Sequence, residues 1–170
     1  CCEDPTDGLR IRKALSKRLA KYRLKLNEEK THTIRFDRRS REESGSFDFL
    51  GFSFYLGLSR SGRVIPKVKS SSKKLRVKLK RVALWCKENR NKYRLRELWK
   101  QFCVKLQGHI QYYGVSFNAN GVHLFCTRAI FIFIKWMNRR SQRRSMTHDH
   151  FALYMKEYPP PKVRICCRLY

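Results

Sequence analysis

The side chains that could carry chemistry in this sequence are seven cysteines, five histidines and 13 acidic residues. Two-metal phosphoryl transfer needs a pair of carboxylates held together at the metals, and no such pair stands within an apolar strand here. Glu3-Asp4 instead precedes a proline and a helix-capping position. Cys1-Cys2 and Cys166-Cys167 are adjacent pairs without the spacer of a zinc knuckle, and His148 and His150 have no Cys or Glu partner close in sequence. No Gly-rich phosphate loop occurs. His109, within Gln107–Gly114 (QGHIQYYG), could move a proton, bind a ligand or fill a core. With no carboxylate near it in sequence, the core reading is the stronger. The sequence therefore predicts no catalytic residue, no metal site and no cofactor of its own.

Charge points elsewhere. Forty Lys and Arg against 13 Asp and Glu give a formal net charge of +27. Self-repulsion of this size opposes compaction, so folding alone does not call for it. A phosphate backbone is the usual counterpart. An anionic membrane surface is the main rival, but the cations do not flank a single exposed apolar stripe. The most apolar run, Val122 to Met137, is broken by His123, Arg128 and Lys135. It is also shorter than the ~20 residues of a spanning helix, and so reads as a buried core helix. The start, CCEDPTDG, has neither a basic nor an apolar run, so reduced thiols and a cytoplasmic location are expected.

The elements that must position these residues follow from periodicity. Thr6 or Asp7 can cap a helix with Ile11, Leu15, Leu19 and Tyr22 on one face. Thr31 to Phe36 reads as a strand, Asp37 to Ser46 as a loop, and Phe47 to Tyr55 (FDFLGFSFY) as a further strand. Arg63 to Val68 pairs with that strand through a turn at Ser61-Gly62, and the hairpin is expected to end near Pro66. After a boundary within residues 57–72 the pattern turns helical. Ser70 to Ser72 can cap a helix with Leu75, Leu79, Val82 and Cys86 on one side. Leu95, Leu98, Phe102, Leu106, Ile110 and Tyr113 mark the next, which stops at Gly114. Asn118 to Gly121 reads as a turn before the apolar helix, on which Trp136 is expected to be buried. Thr147 caps a short helix that Pro159-Pro160-Pro161 ends. The fold class is α+β: a helix, a strand and a β-hairpin, then an all-helical bundle over residues 70–170.

Lys73, Lys74, Arg76, Lys78, Lys80 and Arg81 crowd the polar faces of the helix after residue 72, and no acidic residue lies between Lys73 and Lys87. A solvated helix face would normally mix Glu with Lys at i, i+4, so this helix reads as a phosphate-tracking surface. Arg139, Arg140, Arg143 and Arg144 form a second cluster, whose guanidinium forks suit phosphates and exposed bases. They have no acidic partner in the cluster and are expected to be solvated. Tyr112 and Tyr113, adjacent on a helix, cannot both face a core, so one could present a ring to RNA or simply sit at the domain surface. Gly108 inside a helix costs ~1 kcal/mol against Ala, which usually marks close packing or backbone contact. His109 and Tyr112 join the two clusters as candidate RNA contacts.

Five segments occur in a telling order: Leu26–Thr31 (LNEEKT), Phe47–Phe52 (FDFLGF), Gly108–Gly114 (GHIQYYG), Asn138–Gln142 (NRRSQ) and Pro159–Pro161. Their order and spacing resemble the C-terminal part of bacterial group II intron-encoded reverse transcriptase/maturases, across essentially the whole chain. The resemblance implies that residues 1–56 correspond to the end of the polymerase palm, 57–69 to a hairpin return and linker, and 70–170 to the maturase-specific thumb. It implies that Lys30 matches a lysine near the incoming nucleotide's phosphates, and that Phe49, Leu50, Gly51 and Phe52 match the primer grip. The family's YxDD aspartates, which hold Mg2+, have no counterpart here. The implied function is binding of structured intron RNA to assist its folding and splicing, with the chemistry left to the ribozyme. The alternative is the thumb part of a split or truncated RNA-directed DNA polymerase of a retroelement. That alternative would be inactive alone, would engage an RNA/DNA template-primer duplex, and would need a separate palm/fingers chain.

Overall fold

The helical spacing after residue 70 folds as four helices, and the aromatic run before it folds as a small sheet. The computed structural model describes residues 4–34, 36–37, 45–140 and 147–169. In chain order the elements are α1 (Pro5–Lys21), a 3-10 turn (Glu28–Lys30), β1 (Phe47–Phe49), β2 (Phe52–Leu58), β3 (Val64–Ser70), α2 (Ser72–Asn89), α3 (Leu95–Tyr113), α4 (Ala119–Met137) and α5 (His148–Glu157). The three strands form one antiparallel sheet in the order β1-β2-β3, so the class is α+β as expected. The chain divides into two compact units: Cys1–Phe47 with Tyr55–Ile65, and Asp48–Phe54 with Pro66–Tyr170.

In the first unit, α1 starts two or three residues earlier than the capping pattern predicts. Asp4, not Thr6 or Asp7, is the N-cap; its carboxylate accepts from the Thr6 amide at 2.8 Å, and Pro5 occupies the first turn, where its missing N–H costs nothing. Ile11, Leu15 and Tyr22 on the helix's apolar face are exposed. The strand expected over Thr31–Phe36 does not form at its described residues. The Thr31 hydroxyl instead donates to the Asn27 carbonyl at 2.6 Å, closing the 3-10 turn. β-propensity expresses itself only where a partner strand completes the ladder. The Ser61-Gly62 turn does form: the Ser59 amide donates to the Arg63 carbonyl at 2.7 Å, and Gly62 takes φ +77°.

In the second unit, the FDFLGFSFY run is not one strand. It reverses at Leu50-Gly51, whose φ values of 49° and 86° suit a two-residue hairpin loop. Tertiary contacts hold the turn. The Tyr112 hydroxyl donates to the Leu50 carbonyl at 3.0 Å, and the Ser71 amide to the Gly51 carbonyl at 2.9 Å. A Cβ at position 51 would meet the Tyr113 hydroxyl, so the loop needs glycine there as well as for its φ. β3 continues past Pro66 to Ser70, beyond the expected end of the hairpin. It lies at the sheet's edge, where a residue without an N–H is tolerated.

Helix α3 is the spine of this unit's core, burying Leu98, Trp99, Phe102, Leu106 and Ile110 at helical spacing. The apolar run packs as the predicted core helix α4, with Phe133 meeting Phe102 at 4.7 Å between ring centroids. α5 is capped by Thr147, which accepts from the His150 amide, and it buries Phe151. α4 begins inside the expected Asn118–Gly121 turn. Its N-cap Asn118 makes no side-chain capping bond. The buried amide instead accepts from the Ser70 N–H at 2.7 Å and donates to the Tyr113 carbonyl at 2.8 Å, tying β3 to the end of α3. Among the described residues no helix is long and apolar enough to cross a membrane.

Candidate nucleic-acid interface

α2 follows N-cap Ser71, whose hydroxyl leaves the helix uncapped and donates to Asp48 at 2.7 Å. A bond from Ser53, this one from Ser71, and the charges of Lys73 and Lys74 hold the Asp48 carboxyl below its usual range. Leu75 and Cys86 are buried, and Leu79 and Val82 pack on the core as the spacing predicts. Lys73, Lys74, Arg76, Lys80 and Arg81 are exposed. Among the described residues, none of them lies within ion-pair distance of a carboxylate. Lys78 is different: its ammonium sits 4.1 Å from the Tyr113 ring centroid and 5.6 Å from that of Tyr112. Burial, with Arg81 beside it, lowers its proton affinity below that of an ordinary lysine.

The two adjacent tyrosines divide as predicted, with Tyr113 4% exposed and Tyr112 51% exposed. Phe52 packs between hairpin and helix, stacked on Tyr112 at 5.8 Å, while Phe49 and Leu50 are exposed at the turn. Lys30 closes the 3-10 turn of the first unit. His109 is a core residue, 8% exposed, stacked on Phe125 at 3.6 Å and on Tyr113 at 4.6 Å. Burial, with Lys78 beside it, pushes its imidazole down to about 3. Gly108 does not mark close packing among the described residues, because a Cβ there would meet none of them within 4 Å.

The His109 environment predicts a pH dependence of stability. Its folded pKa lies below the unfolded value of 6.5. Between those values the unfolded chain binds a proton that the folded chain refuses. This contribution is therefore whole above pH 6.5 and is lost as pH falls, by ~1.4 kcal/mol per pH unit. Urea unfolding should show His109→Phe losing less stability than the parent between pH 7 and pH 5, by roughly 1–2 kcal/mol. Equal losses would mean that His109 is solvated.

The second arginine cluster is less free than its sequence implies. Arg139 lies 5.1 Å from the centroid of Trp136, with Arg90 at 5.2 Å from the same ring. Arg140 donates to the Tyr93 carbonyl at 2.7 Å. These two side chains are exposed yet held, Arg139 by a ring of α4's own last turn and Arg140 by a carbonyl from the segment before α3. Trp136 is half-buried rather than enclosed. Arg143 and Arg144 lie outside the described residues.

Sequence reasoning missed Lys105, whose ammonium lies 5.1 Å from the Trp85 centroid, and Arg96, over Tyr158 at 5.1 Å. Each meets its ring only through packing with a residue distant in sequence, so no local signal reveals it. Among the described residues no three His, Cys, Asp or Glu side chains gather as a metal site. Burial raises the thiols of Cys86 to about 12 and of Cys103 and Cys126 to about 11, which keeps them protonated and poor nucleophiles. Comparison with family models, with curated proteins and with solved structures returns no match for this chain.

Proposed function

We propose that this chain binds structured RNA, and that it corresponds to the palm end and thumb of a group II intron maturase, assisting the intron RNA to fold and splice. The observation that carries the RNA-binding reading is the exposed cation face of α2, with no carboxylate at ion-pair distance among the described residues. Free-standing charges on a rigid helix cost no local ion pair when they meet phosphates, and their counterions are released on binding. Tyr112, half-exposed at the end of α3, offers a ring to an unpaired base. The maturase assignment rests on the five ordered sequence segments.

Filter binding or fluorescence anisotropy against a structured RNA tests this reading. If the chain makes roughly 6–10 phosphate contacts, affinity falls by about 10³-fold or more between 50 and 200 mM salt. A flat salt titration would overturn phosphate tracking. For the maturase assignment, splicing of a group II intron RNA at low magnesium should be accelerated by the chain, and an equally basic unrelated protein should not substitute for it.

A further inference from the structure

The second unit holds a cavity of about 440 Å³, walled by α2, α3 and α4. Small-molecule sites typically measure about 300–1,000 Å³, and a cavity of about 150 Å³ already admits benzene. The wall has two chemistries. Trp85, Tyr112 and Phe125 supply aromatic surface, and Lys78, Arg81 and Lys105 supply three positive charges. None of the three cations has a carboxylate at ion-pair distance among the described residues. An apolar ligand would leave them uncompensated, and a bare anion would make no use of the rings.

A further observation points to an absent occupant. Gly108, in the cavity wall, weakens the middle of a 19-residue helix, yet a Cβ there would meet open space. Nothing among the described residues requires the glycine, whereas a flat ligand approaching the helix backbone would.

We propose that this cavity receives one ribonucleotide unit, its base against the aromatic wall and its phosphate among Lys78, Arg81 and Lys105. Burial keeps the His109 imidazole of the wall neutral, so the wall's positive charge comes from the three cations. The unit is a nucleotide splayed from a bound RNA, which rests on the RNA-binding reading above; a free mononucleotide presents the same chemistry.

The test uses the full chain, Gly108→Leu and Lys105→Gln. The probes are the four 5′-mononucleotides, inorganic phosphate, a fully paired RNA stem, and the same stem with one unpaired nucleotide. Leucine is a good helix former and its side chain would occupy the space above residue 108, so Gly108→Leu should melt at or above the parent temperature. The parent is expected to prefer the bulged stem at least fivefold, and Gly108→Leu to lose that preference while binding the paired stem unchanged. If Gly108→Leu melts early, Lys105→Gln decides, with the same preference expected to fall. Mononucleotide binding that Gly108→Leu abolishes, without any preference for the bulge, would support the pocket with a free nucleotide as occupant. If paired stems also failed to bind, the RNA-binding reading alone would fall. Phosphate binding as tightly as the mononucleotides would overturn the proposal. So would variants that match the parent on every probe, and in that case paired-stem binding would leave the RNA-binding reading standing.

Discussion

Replacing Lys73, Lys74, Arg76 and Lys80 together with glutamine is expected to lower affinity for structured RNA by on the order of 10³-fold at about 0.1 M salt. Each phosphate contact on a duplex contributes about 0.9 to the slope of log affinity against log salt. Losing four should flatten that slope by roughly 3–4. The four side chains are exposed and lie outside the cavity wall, so base capture should survive. Stability should move by no more than ~0.5 kcal/mol, the usual range for surface positions without special contacts. Relief of self-repulsion in a chain of +27 acts in the favourable direction. A variant that binds RNA like the parent with an unchanged salt slope would remove α2 from the interface.

Trp99→Ala is expected to destabilise the helical unit by ~3–5 kcal/mol, the cost of emptying a core aromatic site. Trp99 is 2% exposed, and its ring meets Phe102, Phe133 and Phe151 with centroids 5.2–5.6 Å away. Its indole N–H donates to the Tyr158 carbonyl at 2.9 Å, so truncation also unpairs the residue that ends α5. Trp136→Ala should cost distinctly less. That ring is half-buried, and its partners Arg90 and Arg139 can return to water. Urea unfolding of the two variants side by side checks the order. A Trp136 variant as damaged as the Trp99 variant would mean that the Trp136 ring is enclosed rather than half-buried. The partners of Arg139 and Arg140 also mean that glutamine at both positions should lower stability by ~1–2 kcal/mol, through a cation–π contact and a charged hydrogen bond.

Sequence alone determined the helices of the second unit and their inward faces. Burial at Leu98, Phe102, Leu106 and Ile110 repeats at helical spacing, and Thr147 marks the start of α5 by local backbone chemistry. The split between Tyr112 and Tyr113 was legible for the same reason, since adjacent helix positions point about 100° apart. Composition alone carried the cation excess of α2, because it needs no partner to be seen.

Tertiary structure decided everything that depends on groups distant in sequence. Thr31–Phe36 has strand-forming residues and found no strand at its described positions, whereas FDFLGFSFY became two strands because Tyr112 and Ser71 pin the Leu50-Gly51 reversal. Asn118 reads as turn chemistry but spends its amide joining Ser70 to Tyr113, which are 48 and five residues away. The cavity is the extreme case. Lys78, Trp85, Lys105, His109 and Phe125 come from three helices, each residue unexceptional among its sequence neighbours. Helix periodicity specifies which face turns inward, but ridge-into-groove packing sets where two such faces separate enough to leave a hole. That separation depends on side-chain volumes contributed by all three helices at once, which no local pattern encodes.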